Sequence, residues 1–332
     1  MLRDRYLIIK IPSIANTSSL ASLLEITEKE LFYIADNVHE FYKPGKIMRK
    51  KNGDPRPTHD AKPVLKQIHA RIKNRILKQV VYPYYMLGGI SDLESPRSCK
   101  THAQIHSGKK ILISEDIANF YPNTSYEVVK KIWKYHFKFG DEVSELLTKL
   151  TTFNGELPQG WKASGYIANL ALIDKEPELV RILEEKGLSY SRFIDDITVS
   201  SPFYLTSNDK QFIISNIYAM LFSCGYKPKR IKHEIVSREM PMSVTSLNVN
   251  TKKPTIPSKE RKIIRALVYQ LECAYPDDGR SIRFYKLWLS VYGKVNRVKS
   301  FHAEEGSKLQ IRMRQIKPPK HFFSNKKLLS TS

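Results

Sequence analysis

Arg192-Phe193-Ile194-Asp195-Asp196-Ile197-Thr198-Val199 decides the reading of this chain. Two short strands, Tyr190 to Ile194 and Ile197 to Ser200, flank an acidic pair placed where a β-hairpin turns. Adjacent carboxylates repel and resist being held close together. A divalent cation removes that repulsion, and Mg2+ favours a few carboxylates together with phosphate oxygens. An isolated Asp-Asp pair is more often a solvated acidic turn, so the rest of the chain has to supply partners.

One partner stands in Ile113-Ser114-Glu115-Asp116-Ile117-Ala118-Asn119-Phe120-Tyr121-Pro122, where a buried strand from Ile111 to Ile113 runs into Glu115 and Asp116. Strand pairing would bring Asp116 beside the hairpin, with Glu115 on the opposite face. Asp116, Asp195 and Asp196, with Ile117 beside them, then form a metal-binding set for two Mg2+ ions about 4 Å apart, the spacing of two-metal phosphoryl transfer. One ion activates a primer 3′-hydroxyl and the other holds a triphosphate. The plainer reading of Asp116 is a cap or turn aspartate. A third block, Leu157-Pro158-Gln159-Gly160-Trp161-Lys162, offers a glycine for close backbone approach and Gln159 to hydrogen-bond a sugar or base. Alone it also reads as an ordinary helix entry.

Charge points the same way. Among 332 residues, 55 Lys and Arg face 33 Asp and Glu, a net of +22, and the basic residues recur from Arg49 to Lys327. Such a field favours a polyanion, most simply nucleic acid, although a basic ribosome-associated protein or a membrane-surface binder has similar charge. Three cysteines, Cys99, Cys224 and Cys273, without metal-ligand spacing, fit a reducing cytosol. Met1 to Ile14 is no signal peptide and no apolar run spans a bilayer, so a cytoplasmic protein with no membrane partner is expected.

The remaining pattern predicts an α+β domain followed by a helical module. Thr27-Glu28-Lys29-Glu30 is a capping box, and Asn52-Gly53-Asp54 a hairpin turn. Leu65, Ile68, Ile72, Ile76 and Val80 form one apolar helical stripe, with Lys66, Lys73, Arg75 and Lys78 elsewhere on that helix as candidate phosphate contacts. Thr124-x-x-Glu127 caps a helix to about Phe139. Further helices are expected at Gly160 to Leu172, residues 209 to 223, Lys259 to Ala274 and Ile282 to Val298, with a short strand at Val244 to Val249 and a loose basic tail at the end.

In this order and spacing the three blocks resemble the palm motifs of reverse transcriptases. Phe193-Ile194-Asp195-Asp196 resembles the aromatic-x-Asp-Asp signature, and Leu157 to Lys162 the Leu-Pro-Gln-Gly motif with its Trp-Lys. The resemblance implies that Tyr121 is a steric gate against a 2′-hydroxyl and that Gln159, Trp161 and Lys162 lie near substrate or nucleic acid. Bacterial retron-type enzymes fit more of the chain. Lys51-Asn52-Gly53-Asp54-Pro55-Arg56 resembles their fingers hairpin, with Arg56 on the triphosphate. Gly225-Tyr226 with Lys232 resembles the motif whose lysine lies near the departing pyrophosphate. His102-Ala103-Gln104-Ile105-His106 resembles the Asn-Ala-x-x-His block with His102 for the Asn, and Val244-Thr245-Ser246 the Val-Thr-Gly block with Ser246 for the Gly. The implied right-hand polymerase fold divides into an N-terminal helical extension (1–43), fingers and palm (44–250), a C-terminal helical thumb (251–316) and a basic tail (317–332).

The implied activity is RNA-directed DNA synthesis from dNTPs. The implied template is a dedicated structured non-coding RNA that also supplies the primer, the product is DNA, and an effector protein is a partner in anti-phage defence. The alternatives are a non-retron defence-associated enzyme with template-free or protein-primed synthesis, an RNA-dependent RNA polymerase, and an idle fold that only holds RNA.

Overall fold

Residues 5–45, 48–49, 55–56, 59–92, 95–319 and 322 are described in the computed structural model. It divides into two units, 1–240 and 241–332. The division falls before the expected thumb boundary at 250/251. A hairpin, Ser243–Val244 with Leu247–Asn248, pairs onward to Thr255 and so belongs with the second unit.

The first unit is organised on an antiparallel sheet of four strands, β1 (Ile111–Asp116), β2 (Ser189–Phe193), β3 (Asp196–Ser201) and β4 (Glu234–Ser237), in the order β4-β1-β3-β2. Strand β1 is buried along nearly its whole length. Helices cover both faces of the sheet, and the alternation of strand side chains shows how. On one face Ser191 and Ser200 bond to His106 of helix α4 (Cys99–His106). On the other, Tyr190 and Arg192 reach Glu176.

The first unit also holds α1 (Thr17–Leu24), α2 (Glu28–Asp36), α3 (Pro63–Arg75), α5 (Phe120–Asn123), α6 (Tyr126–Lys131), α7 (Asp141–Thr151), α8 (Ser164–Leu170), α9 (Glu176–Glu185) and α10 (Ser207–Ser223). The Thr27 capping box opens α2 as expected, with Thr27 and Glu30 exchanging hydrogen bonds. Leu20, Leu24, Leu31 and Ile34 of the N-terminal helices enter the same core as Leu65 and Ile68 of α3. The helix expected from Thr124 starts one residue later. Ser125 caps α6, whereas the Thr124 hydroxyl turns inward to Phe120 O and Tyr226 Oη. The predicted stripe through Val80 also ends early: α3 stops at Arg75, and Val80–Val81 pairs as a strand with Ile8–Ile9.

The second unit holds α11 (Ser258–Asp278), α12 (Ile282–Phe301) and α13 (Ala303–Gln315). Trp288, Val291, Val295, Leu309 and Met313 are buried within it. Arg261 and Arg265 both pair with Glu305, and Arg312 pairs with Glu272, tying α11 to α13. The tail expected from 317 thus follows one more helix than the sequence suggested. No helix among the described residues is long and apolar enough to cross a membrane.

Candidate active site

Asp116 is the last residue of β1 and stands directly opposite Asp196, the first residue of β3. The Ile117 N–H donates to the Asp195 carbonyl at 3.0 Å. Strand end and hairpin turn are therefore joined by backbone where the three aspartates gather. A second strap crosses the end of β1: the Lys229 N–H donates to the Asp116 carbonyl at 2.6 Å and the Ala118 N–H to the Lys227 carbonyl at 2.9 Å. That strap carries Lys232, whose ammonium donates to Asp116 Oδ2.

The electrostatics follow from this crowding. Desolvation, then the charges of Asp195 and Asp116, push the Asp196 carboxyl up to about 7 against the pull of Lys232, even though the residue is open to solvent at the turn. For Lys232, partial burial opposes the charge, but the bond to Asp116 and the nearby aspartates outweigh it and raise the ammonium pKa. Among the described residues no three Asp, Glu, His or Cys side chains already converge on one ligand point. Hard carboxylate oxygens held this close nonetheless suit a divalent cation of the Mg2+ type, with Lys232 as the counter-charge now resting on Asp116. Glu115 points away as expected. It is buried on the far side of the strand, bonded to His233 Nδ1 at 2.5 Å and Tyr218 Oη at 3.3 Å.

The turn between β2 and β3 is strained. Phe193 pairs with Asp196, leaving Ile194 and Asp195 as a two-residue loop, and Ile194 has φ 61. Glycine is the residue that fits the first position of such a loop. A β-branched residue there costs about 1–3 kcal/mol unless its surroundings over-determine it. Two features do so. Cβ atoms added at Gly88 or Gly89 would lie 2.8 Å from the Ile194 nitrogen and 2.4 Å from its Cδ1, so only glycines let this backbone pack on the turn. Beneath it, Arg192 is fully buried and donates to the Ile194 carbonyl at 2.8 Å. The same guanidinium is locked by Glu176 at the start of α9, by Nε at 2.5 Å and Nη2 at 2.8 Å, and by the Asn169 carbonyl at 3.0 Å. Arg192, Glu176 and Asn169 form this lock without a motif that marks them in sequence. The available signal was an arginine placed between strand residues that are otherwise small or aromatic.

The aromatic pair after Asp116 splits. Phe120 is buried against Tyr226, with ring centroids 5.1 Å apart, while Tyr121 stays half-buried. Backbone bonds from Leu157 N–H to Thr124 O at 3.0 Å and from Tyr126 N–H to Gly155 O at 2.8 Å anchor the Gln159 loop beside the end of the Tyr121 helix. Gln159 and Lys162 are exposed. Gly160 is required by its φ of +95 rather than by close approach, since a Cβ there would meet nothing.

Two expected nucleic-acid contacts are engaged elsewhere. Trp161 is only 9% exposed and stacks between Tyr42, at 4.3 Å, and His69, at 4.7 Å, which makes it a packing residue. Arg75 donates to the Leu23 carbonyl at 2.5 Å and pairs with Glu25, because the open carbonyls at the end of α1 attract a guanidinium. Lys66 is exposed and bonded to Asp60 at 2.7 Å, and Lys73 and Lys78 remain at least partly exposed. Met48–Arg49 pairs with Pro55–Arg56, the strands of the expected hairpin. Residues 50–54 and the Arg56 side chain lie outside the described residues. His106 is structural, bonding Ser200 and Ser191 at 2.7 Å each, while His102 stacks on Phe193 at 5.6 Å, with neither ring nitrogen meeting a hydrogen-bond partner among the described residues.

Comparison with known proteins adds lineage to this geometry. Residues 48–263 match the family model described as reverse transcriptase (RNA-dependent DNA polymerase). The chain is 33% identical over 309 residues to the Retron Se72 reverse transcriptase of Salmonella heidelberg, covering 92% of this chain and 80% of that one. It is 29% identical over 315 residues to the Retron Ec48 reverse transcriptase of Escherichia coli, covering 92% and 77%. Among solved structures, telomerase from Candida albicans with a TWJ fragment of telomeric RNA aligns at a TM-score of 0.41 and 11% identity, over 76% of this chain and 51% of that one.

Proposed function

Since the chain belongs to the reverse transcriptase family and is an RNA-directed DNA polymerase of the retron type, we propose that Asp116, Asp195 and Asp196, with the backbone at Ile117, hold two Mg2+ ions for nucleotide addition. The observation that carries this is the register of Asp116 against Asp196, locked by the Ile117–Asp195 backbone bond. Bound there, the metals would lower the pKa of a primer hydroxyl and neutralise the triphosphate.

The chain's own side chains do the rest. Asp116 and Asp195 orient the reacting groups, with Asp196 more peripheral. Tyr121 packs against C2′ of the incoming sugar and selects deoxynucleotides. Gln159 contacts the incoming nucleotide. Arg56 neutralises the triphosphate from the fingers hairpin, and Lys232 moves from Asp116 to the departing pyrophosphate. Lys66, Lys73, Lys78 and Lys162 grip the backbone of an A-like RNA–DNA hybrid, recognised by shape rather than base edges. Catalysis is positioning plus charge neutralisation.

In this reading the template is a dedicated structured non-coding RNA that also provides the priming 2′-hydroxyl. The DNA product acts in the cytoplasm with an effector protein against phage. What supports it is the likeness to retron enzymes along most of the chain. The test is primer extension with Mg2+ and dNTPs, together with sequencing of nucleic acid that co-purifies. Wild type should extend and carry RNA joined to short DNA, and Asp195→Ala/Asp196→Ala should not extend. Equal extension by both proteins would overturn the metal site.

A further inference from the structure

We infer that Arg192 is a positioning residue for catalysis: through the Ile194 carbonyl it fixes where the carboxylates of Asp195 and Asp196 point. The inference rests on the polymerase reading above. A strained two-residue loop holds its shape only if something over-determines it. The neighbours of Ile194 do this with little freedom. Arg192 is 0% exposed and spends its donors on Glu176, the Asn169 carbonyl and the Ile194 carbonyl. Glu176 is itself held by Tyr190 Oη at 2.7 Å. Asn169 in turn donates to the Gly88 carbonyl at 2.8 Å, and Gly88 is the residue packed against the Ile194 nitrogen. The carbonyl side and the amide side of Ile194 are thus fixed by one connected network that starts at the first turn of α9.

A buried ion pair that only stabilises the fold can be replaced by apolar residues of similar size without loss. One that positions a turn cannot, because nothing apolar holds a carbonyl. This contrast defines the test. Wild type, Arg192→Lys and the triple variant Glu176→Leu/Tyr190→Phe/Arg192→Met are compared by melting temperature, by the rise in melting temperature on adding Mg2+, and by primer extension. Arg192→Lys keeps a charge opposite Glu176 but cannot span both it and Ile194. It should lose about 10- to 100-fold in turnover, with KM for dNTP little changed and a smaller Mg2+-induced rise in melting temperature. The triple variant should melt near wild type yet remain as slow as Arg192→Lys. A triple variant that is folded and copies at the wild-type rate would overturn the inference. If the triple variant does not fold, an Arg192→Lys protein with wild-type turnover and Mg2+ response overturns it instead. Wild-type extension that Asp195→Ala abolishes, run alongside, makes failure of the polymerase reading a separate result.

Discussion

Asp196→Asn should make the metal-free protein more stable, and increasingly so as pH rises. The Asp196 carboxyl ionises near 3.8 when free of its neighbours but at about 7 in the fold. An acid whose folded pKa is raised costs stability once it is ionised. The cost is absent below pH about 4, where folded and unfolded chains both keep the proton. It grows between about 4 and 7 and is complete above 7. A shift of roughly 3 units corresponds to a ceiling of about 4 kcal/mol. Because Asp196 is open to solvent, screening reduces this to about 1–2 kcal/mol. In a chain of this size that is a difference of about 1.5–3 °C in Tm. The assay is thermal unfolding of wild type and Asp196→Asn in EDTA at pH 5, 6, 7 and 8. The variant's advantage should be smallest at pH 5 and largest at pH 8, and added Mg2+ should narrow it by stabilising wild type. An advantage that is flat from pH 5 to 8, or that shrinks as pH rises, would show that the aspartates do not crowd one another as described.

Other expectations follow from individual contacts. Gly88→Ala places a Cβ 2.8 Å from the Ile194 nitrogen and should cost about 1–3 kcal/mol in denaturant unfolding, with a loss of extension activity that outlasts any rescue by lower temperature. His106→Leu strips the bonds to Ser191 and Ser200 and should cost about 2–4 kcal/mol. Burial holds this imidazole neutral far below its usual pKa, so the loss should be the same at pH 6 and pH 8. Ser246→Gly relieves a residue at φ 63 and should raise stability by about 1 kcal/mol, read as a higher denaturant midpoint. Tyr121→Ala should admit ribonucleotides in primer extension, and unchanged exclusion of rNTPs would remove the gate assignment.

The strands that carry the three aspartates were legible because their sequence pattern is local. Buried Ile111 to Ile113 announces a strand, and the acidic pair between apolar runs announces a turn. Glu115 and Asp116 had to face opposite ways by strand alternation alone. What failed to show in sequence depends on partners far along the chain. Arg75 carries the same charge as Lys73, and only the end of α1 distinguishes them. Trp161 reads as a nucleic-acid contact in its motif until Tyr42 and His69 close on its faces. Ile76 continues a helical stripe on paper, but pairing of Val80–Val81 with Ile8–Ile9 ends the helix. Gln159 sat in a recognisable block, yet the backbone bonds from residues 155 and 157 that anchor its loop have no local signature. At Ser246 the backbone shows where a glycine would fit: Thr245 and Ser246, at φ 46 and 63, adopt the left-handed turn that glycine favours.

The ammonium of Lys232 on Asp116 means that the acidic turn comes with a tethered cation of its own. The chain can therefore complete its fold before any magnesium arrives, with one anion already neutralised. At the Mg2+ site proposed above, uptake of metal would be an exchange rather than an addition. Its affinity is set by how much better a divalent ion serves these oxygens than a lysine does. The lysine that such an exchange would free would keep its charge unmatched, next to where the proposed triphosphate would come to rest.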